Sequence, residues 1–203
     1  MQMMTSTPSC RIQAVDHRKD LFSISEIISQ ELMRAVAEEV LDARPYTKQE
    51  WQEHKPRKKL QRFPGCTLSL IHEHIVKQKD TIGEALGQDI NSIETAFWYD
   101  QEGFDFPAHI DNPGVHTVMQ IYLSDCAHAG TVFYNIQDHH IETRDDKYRW
   151  HYTGPKQPES VRKNFEFKAN TGYLMINNSK QLHGVPGMVG KGDVRLSCYC
   201  HLN

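Results

Sequence analysis

The second half of the chain consists of short, β-rich segments separated by turn-forming sequences. We predict strands at 93–99, 116–123, 131–134, 164–168, 172–176 and 194–202. Glycine- and proline-containing turns such as NPG, HAG, NTG, VPG and GKG stand between them. Many short strands joined in this way are typical of an antiparallel sandwich or barrel, so the pattern restricts the chain to a mainly β core.

The first 92 residues have a different sequence pattern, and we predict that they form a support of helices, or of mixed helices and strands, for that core. Ser23 and Glu26 form a capping box, and the apolar residues that follow recur at helical spacing up to Val40, which predicts a long helix. The periodic residues are Ile24, Ile27, Ile28, Leu32, Val36 and Val40. A shorter helix is predicted at 81–86, a strand at 67–75 and a polar loop at 46–64.

The chain length, together with a helical pattern in the first half and a β-rich pattern in the second, predicts a single catalytic domain over residues 1–203. Within it, 1–92 form the support and 93–203 the β core. A polar and aromatic insertion, 135–163, interrupts the core and is too long for an ordinary hairpin.

Composition argues against several classes of partner. The net charge is −3, and the one basic run, KPRKK at 55–59, is short, so there is no strong nucleic-acid signal. No apolar run is long enough to span a membrane, and the N-terminus lacks a secretory pattern.

Five cysteines is an odd number, which favours reduced thiols and a cytoplasmic protein. Cys198 and Cys200 are predicted to be two small apolar side chains on one strand face.

Candidate metal ligands stand in FPAHIDNPGV, residues 106–115. His109 and Asp111 are two residues apart, so on a strand both side chains face the same side. A His-x-Asp pair alone is weak evidence, but His183 follows another predicted strand and precedes a turn. Two histidines and one carboxylate form the facial triad of non-haem Fe(II) oxygenases. Iron fits because such chemistry requires a redox change, which zinc does not supply.

Arg195 and Ser197 add a second functional pattern twelve residues beyond His183. On a strand they share a face, and a guanidinium beside a hydroxyl can bind a carboxylate. An arginine on the inner face of a barrel is costly without an anion. A dicarboxylate co-substrate would supply that anion.

These motifs resemble the 2-oxoglutarate- and Fe(II)-dependent dioxygenases over residues 95–202, and the prolyl-hydroxylase-like branch in particular. The similar features are the His-x-Asp, the distal histidine, the Arg-x-Ser, and a tyrosine ten residues before the His-x-Asp. The resemblance implies an α+β fold with a mainly β core, a double-stranded β-helix (jelly-roll, cupin-like barrel) flanked by N-terminal helices. It also implies that Tyr122 and Tyr99 contact 2-oxoglutarate.

The resemblance further implies a catalytic centre in which His109, Asp111 and His183 hold Fe(II). Arg195 and Ser197 would bind the far carboxylate of 2-oxoglutarate, O₂ would be the oxidant, and ascorbate an optional reductant. The expected reaction hydroxylates a peptidyl (prolyl-like) or free amino acid and converts 2-oxoglutarate to succinate and CO₂. We expect the 135–163 insertion and the 44–64 loop to line the cavity mouth, with Trp98, Arg149, Trp150 and Tyr152 as candidate contacts.

Three other functions stay open from the sequence. One is a cupin-like metalloenzyme that does not use 2-oxoglutarate, which would have no need of Arg195 and Ser197. Another is a non-catalytic binding barrel that keeps the fold alone. The third is a zinc hydrolase built on His72 and His74, or on the His139–His140 pair, although neither pair has a carboxylate partner at suitable spacing.

Overall fold

A computed structural model describes residues 10–40, 48–50, 56–136, 140–144, 149–155 and 158–203. The helices are α1 (Gln30–Ala35), α2 (Thr67–Val76) and α3 (Lys79–Leu86), with a π-helical turn at Val36–Val40. The strands are β1 (Arg11–Ala14), β2 (Leu21–Ser25), β3 (Lys48–Glu50), β4 (Arg57–Leu60), β5 (Ile93–Asp100), β6 (Phe106–His109), β7 (Thr117–Tyr122), β8 (Thr131–Tyr134), β9 (Ile141–Arg144), β10 (Arg149–Tyr152), β11 (Val161–Phe165), β12 (Thr171–Ile176), β13 (His183–Val185) and β14 (Arg195–Leu202).

Two antiparallel sheets form the core of the protein. The larger sheet has eight strands in the order β1-β2-β12-β7-β14-β5-β4-β3, and the smaller has four in the order β11-β8-β13-β6. Strands β9 and β10 form a separate hairpin. The strands predicted in the second half are all present, with ends shifted by a few residues, so the mainly β core is confirmed.

Side-chain alternation along the central strands separates two apolar cores. On β7, Met119 and Ile121 pack with the helices, whereas Val118 and Tyr122 face the space between the sheets. On β14, Leu196 belongs to the helix-facing core while Arg195 and Ser197 are buried on the opposite face. The inner face of the eight-stranded sheet therefore carries the polar residues that the sequence singled out.

The predicted long helix from Ser23 is only partly correct. Residues Leu21–Ser25 form β2, which pairs with both β1 and β12, and α1 begins later, with the Ser29 side chain accepting a hydrogen bond from the Leu32 N–H. Phe22 and Ile24 reach the helix-facing core at a period of two residues. The pairing of β2 with β1 and β12 thus determines the conformation of residues 21–25 more strongly than the local helical spacing does. The capping-box interpretation of Ser23 is wrong.

Two further predictions in the first half are corrected. Segment 67–75 is the helix α2, in which Leu68, Ile71 and Ile75 are buried at helical spacing, rather than a strand. The 46–64 segment contains β3 and β4, which extend the larger sheet; residues 41–47 and 51–55 lie outside the described part. Helix α3 confirms the prediction at 81–86.

The boundary proposed at residue 93 crosses a sheet. Strands β1 to β4 come from the first 92 residues and share the larger sheet with β5, β7, β12 and β14. The first half therefore does more than support the β core, because it supplies half of the strands of the larger sheet.

The 135–163 insertion contains the β9–β10 hairpin. Its Ile141, Trp150 and Tyr152 pack against Val132 and Leu182 on the outer side of the smaller sheet. Residues 137–139, 145–148, 156 and 157 lie outside the described part, as does the side chain of Arg149. The described part of the hairpin covers the barrel from outside.

All five cysteines have free thiols. Cys198 and Cys200 are buried in the helix-facing core with their sulfur atoms 3.7 Å apart, as the prediction of two small apolar side chains requires. Within the described ranges, no helix is long and apolar enough to cross a membrane.

Arg162 on β11 joins two distant loops through a partly buried ion cluster. Its guanidinium donates hydrogen bonds to both carboxylate oxygens of Asp16 (2.8 and 3.0 Å), to Asp20 (2.6 Å) and to the Gln181 side chain (3.2 Å). Hydrogen bonding and charge from Arg162 lower the pKa of Asp16 to about 2. Gln181 precedes His183, so the cluster anchors the segment that leads into β13.

The pH dependence of stability should report this cluster. The folded-state pKa of Asp16 lies below the value of ~3.9 of an unfolded chain, so the stabilisation is complete at neutral pH and is lost as the pH falls from about 4 through 2. Asp16→Asn should lower the free energy of unfolding at neutral pH, with a difference from wild type that shrinks in acid. Urea denaturation at several pH values measures it, with exposed Asp105→Asn as control. A difference that is constant with pH would contradict the account.

Candidate metal centre and adjoining cavity

The three predicted metal ligands meet where two strands of the smaller sheet pair. His109 ends β6 and His183 begins β13, and the antiparallel register places the two residues opposite each other. Their rings lie 4.5 Å apart between centroids. Asp111 follows β6, and one ligand atom from each of the three residues lies within 4.8 Å of the others. The structure therefore brings His183 close to His109, although the two residues are 74 positions apart in the sequence.

Each histidine ring is oriented by a backbone carbonyl group two residues earlier in the chain. His109 Nδ1 lies 3.0 Å from the Pro107 carbonyl oxygen, and His183 Nδ1 lies 2.9 Å from the Gln181 carbonyl oxygen. A neutral ring that donates from Nδ1 keeps the Nε2 lone pair for a metal. The two Nε2 atoms are 3.5 and 4.0 Å from the Asp111 carboxylate oxygens, so the free nitrogens converge on the carboxylate.

The charge states also suit a cation. Burial and the nearby His109 lower the pKa of His183 to about 4, so this ring is neutral at neutral pH. Burial alone would raise the pKa of Asp111, but its contacts with His109, His183 and Tyr199 hold it well below its usual range, so the carboxylate is ionised. An ionised carboxylate together with two imidazole nitrogens is a donor set that divalent transition metals bind.

Tyr199 on β14 fixes the orientation of Asp111. Its hydroxyl donates a hydrogen bond of 3.0 Å to Asp111 Oδ2. Burial and the Asp111 charge raise the pKa of Tyr199 far above its usual value, so the hydroxyl keeps its proton. The hydrogen bond therefore fixes the position of the carboxylate relative to the two histidine rings.

A cavity of about 360 Å³ opens between the two sheets and includes the triad. Arg195, Thr131 and Tyr173 line it together with Arg57 and Trp98. Arg195 is 1% exposed and stands four residues before Tyr199 on the same face of β14. The cavity therefore joins the metal ligands to the arginine that the sequence assigned to a carboxylate.

Arg195 is already engaged on one side. Its Nε donates to the Ala129 carbonyl oxygen (3.0 Å) and its Nη1 donates to Asp100 Oδ2 (2.6 Å). Asp100 is fully buried and also accepts two hydrogen bonds from Arg57 (2.6 and 3.1 Å). The strand register aligns the three residues across β14, β5 and β4. Neither Asp100 nor Arg57 was identified from the sequence.

Two buried hydroxyls stand near Arg195 on the inner strand faces. The Tyr122 hydroxyl and Thr131 Oγ1 are buried without a hydrogen-bond partner of good geometry in the described part of the chain. Tyr122 stacks on Phe167 (4.1 Å between centroids), and the Arg195 guanidinium lies 4.6 Å from the same ring. Buried hydroxyls without partners beside a cation suit an anionic ligand.

Ser197 lies on the same inner face as Arg195, as predicted, but its hydroxyl accepts a hydrogen bond from Gln120 Nε2 (3.2 Å). Gln120 in turn accepts from the Tyr173 hydroxyl (2.8 Å). Ser197 is therefore part of a buried polar chain that orders the cavity wall, and its binding of a carboxylate stays a prediction.

Tyr99 occupies a different place from the one expected. It pairs with Leu196 across β5 and β14 and packs in the helix-facing core. The residues of β5 that line the cavity are Ala96 and Trp98, because alternate strand residues point to opposite sides. This placement, on the strand face away from the cavity, does not support a contact of Tyr99 with the co-substrate.

The other predicted histidine pairs and mouth residues lie elsewhere. His72 contacts Thr95 (3.1 Å) and His74 contacts the Ile27 carbonyl (3.0 Å), while His139 is outside the described residues. Trp98 lines the cavity, as predicted. Trp150 and Tyr152 pack on the outer side of the smaller sheet and do not line the cavity.

No protein-family model and no curated protein sequence matches the chain. Solved structures do match in fold. A prolyl hydroxylase in complex with a hypoxia inducible factor peptide, from Trichoplax adhaerens, has a TM-score of 0.63 at 13% identity over 94% of this chain and 87% of its own. A Pseudomonas putida prolyl-4-hydroxylase has a TM-score of 0.59 at 16% identity over 94% and 96%.

HygX from Streptomyces hygroscopicus, solved with nickel, 2-oxoglutarate and hygromycin B, has a TM-score of 0.58 at 9% identity over 89% of this chain and 82% of its own. The fold of the chain is therefore that of the 2-oxoglutarate- and Fe(II)-dependent oxygenases, a double-stranded β-helix with flanking helices. Prolyl hydroxylases are among the structures that share it.

Removal of His183 should abolish metal binding at this centre, because only two ligands would remain. Calorimetric titration of His183→Ala with Mn(II) or Co(II) measures the effect. His116→Ala is the matched control, since His116 is exposed and lies outside the triad. Wild-type metal affinity in His183→Ala would exclude this residue as a ligand.

Loss of the Tyr199 hydroxyl should weaken metal binding by about tenfold without unfolding the protein, because Asp111 would lose its orienting hydrogen bond. The same titration on Tyr199→Phe tests this, with a thermal melt to check the fold. An unchanged metal affinity would show that the hydroxyl does not position Asp111.

Proposed function

We propose that the protein is an Fe(II)- and 2-oxoglutarate-dependent dioxygenase. The observation that carries the proposal is the cluster of His109, Asp111 and His183, with both Nδ1 atoms bound to carbonyls and both Nε2 atoms directed at one carboxylate. Two histidines and a carboxylate leave coordination positions open for a co-substrate and O₂.

The same cavity offers a place for the co-substrate. The far carboxylate of 2-oxoglutarate would be held by Arg195 with the hydroxyls of Tyr122 and Thr131, which are otherwise without good partners. Ser197, bonded to Gln120, would take part by ordering this wall. When bound, Fe(II) and 2-oxoglutarate supply the oxidation of a C–H bond, coupled to formation of succinate and CO₂.

The protein residues orient these groups and shield them. Tyr199 holds Asp111, and the backbone carbonyls of Pro107 and Gln181 hold the two histidines. Phe133 stacks on His183 (5.1 Å between ring centroids) and Phe106 meets His109 edge-on (4.4 Å between ring centroids), so an aromatic ring flanks each histidine and shields part of it from water. Such shielding protects an oxidising centre from side reactions.

The proposed substrate is a peptidyl, prolyl-like residue or a free amino acid, and the proposed reaction is hydroxylation. Support comes from the shared fold with two prolyl hydroxylases, one of them solved with a peptide. The alternative substrate class is a small molecule, because HygX, which shares the fold, was solved with hygromycin B bound. Half-buried Trp98 on the cavity wall is the candidate substrate contact.

Anaerobic addition of Fe(II) and then 2-oxoglutarate should produce a visible metal-to-ligand charge-transfer band. Asp111→Ala should show neither this band nor succinate formation during substrate screening, because the carboxylate ligand is lost. Metal binding without the band would favour a cupin-like metalloenzyme that does not use 2-oxoglutarate. The absence of both would favour a non-catalytic binding barrel.

A further inference from the structure

Two arginines share one buried carboxylate beside the cavity. Asp100 is fully buried and accepts hydrogen bonds from Arg195 Nη1 (2.6 Å), Arg57 Nε (2.6 Å) and Arg57 Nη2 (3.1 Å). Arg195 also donates from Nε to a backbone carbonyl, so its Nη2 is not used in these contacts. Both arginines line the cavity.

The charges of this trio set what the cavity can bind. Asp100 offsets the charge of Arg195, so this pair alone is electrically neutral and would attract a carboxylate weakly. Arg57 adds a second positive charge to the same carboxylate, and the three side chains together carry a net charge of +1. A monovalent carboxylate group on a ligand would balance that charge.

Arg57 is held where its charge is poorly screened. Its side chain is 15% exposed, and its guanidinium lies 4.9 Å from the Trp98 ring, 4.4 Å from the Phe104 ring and 5.7 Å from the Phe106 ring. The Arg195 guanidinium lies 5.6 Å from the same Phe104 ring, so one aromatic side chain stands beside both cations. Charges enclosed by apolar rings act more strongly on one another than charges in water.

We propose that Arg57, through Asp100, sets the charge of the co-substrate pocket and thereby its selectivity for a 2-oxo acid with a second carboxylate. This inference rests on the proposed function. Arg57 is a positioning residue in it: Arg195 makes the contact with the ligand, and Arg57 neutralises the Asp100 charge that would otherwise cancel that of Arg195. A residue of β4 thus determines the ligand of a site built on β14.

The test compares two 2-oxo acids on Mn(II)-loaded protein by isothermal titration calorimetry. Arg57→Met should weaken 2-oxoglutarate binding by about tenfold or more, because the pocket becomes neutral. Binding of 2-oxovalerate, which has the same 2-oxo acid end and no second carboxylate, should stay within about twofold of wild type. Lys58→Met removes the same charge from the same strand on the opposite face and should leave both affinities unchanged.

A compensating double variant separates charge from shape. Asp100→Asn combined with Arg57→Met leaves Arg195 as the one charge of the trio, so 2-oxoglutarate affinity should return to within about threefold of wild type. Arg57→Lys keeps the charge without the bidentate geometry and should bind nearly as wild type. If Arg57 were only structural, Arg57→Lys would lose affinity for both acids and the double variant would be worse than either single one.

The outcomes distinguish this inference from the proposed function. Wild-type protein that binds Mn(II) but not 2-oxoglutarate would overturn the proposed function and the inference with it. Wild-type binding of 2-oxoglutarate with no change in Arg57→Met, or a double variant that recovers nothing, would overturn the inference and leave the proposed function standing. Thermal melts of all variants confirm that each is folded.

Discussion

The antiparallel pairing of β6 with β13 is the interaction on which the candidate site depends. It sets His183 opposite His109, and the turn after β6 then brings Asp111 to both rings. The pairing is itself fixed from outside, because Arg162 ties Gln181, two residues before His183, to the loop between β1 and β2. A metal bound by the three side chains would therefore have its ligands oriented by the pairing of two strands and not by side-chain contacts alone.

The larger sheet carries the buried Arg195, which we propose binds the far carboxylate of the co-substrate. An arginine as deeply buried as Arg195 needs a compensating charge, and Asp100 provides it at all times. The Asp100 charge would weaken the attraction of Arg195 for a ligand carboxylate if Arg57 on β4 did not bind Asp100 as well. The fold thus keeps a buried cation stable when no ligand is bound and still leaves one net positive charge for a carboxylate.

The β core and the candidate metal ligands could be predicted from the sequence because their signals are local. Alternation and turn residues mark β7, β12 and β14, and His109 and Asp111 lie two residues apart on one strand end. The first half was less predictable, since the apolar residues of 21–28 suit a helix or a strand until β12 is present to pair with β2. Arg57 could not be found because its partner Asp100 is 43 residues away and its strand lies in a polar, Lys- and Arg-rich segment. Tyr199 could have been found, because it continues the alternation of Arg195 and Ser197.

The central claim is that one cavity holds a divalent metal and a 2-oxo dicarboxylate together. A crystal structure of the protein grown anaerobically with Mn(II) and 2-oxoglutarate tests it most directly. We expect the metal on His109 Nε2, Asp111 and His183 Nε2, with the far carboxylate of 2-oxoglutarate at Arg195. A metal bound elsewhere, or a 2-oxoglutarate whose far carboxylate avoids Arg195, would contradict the account.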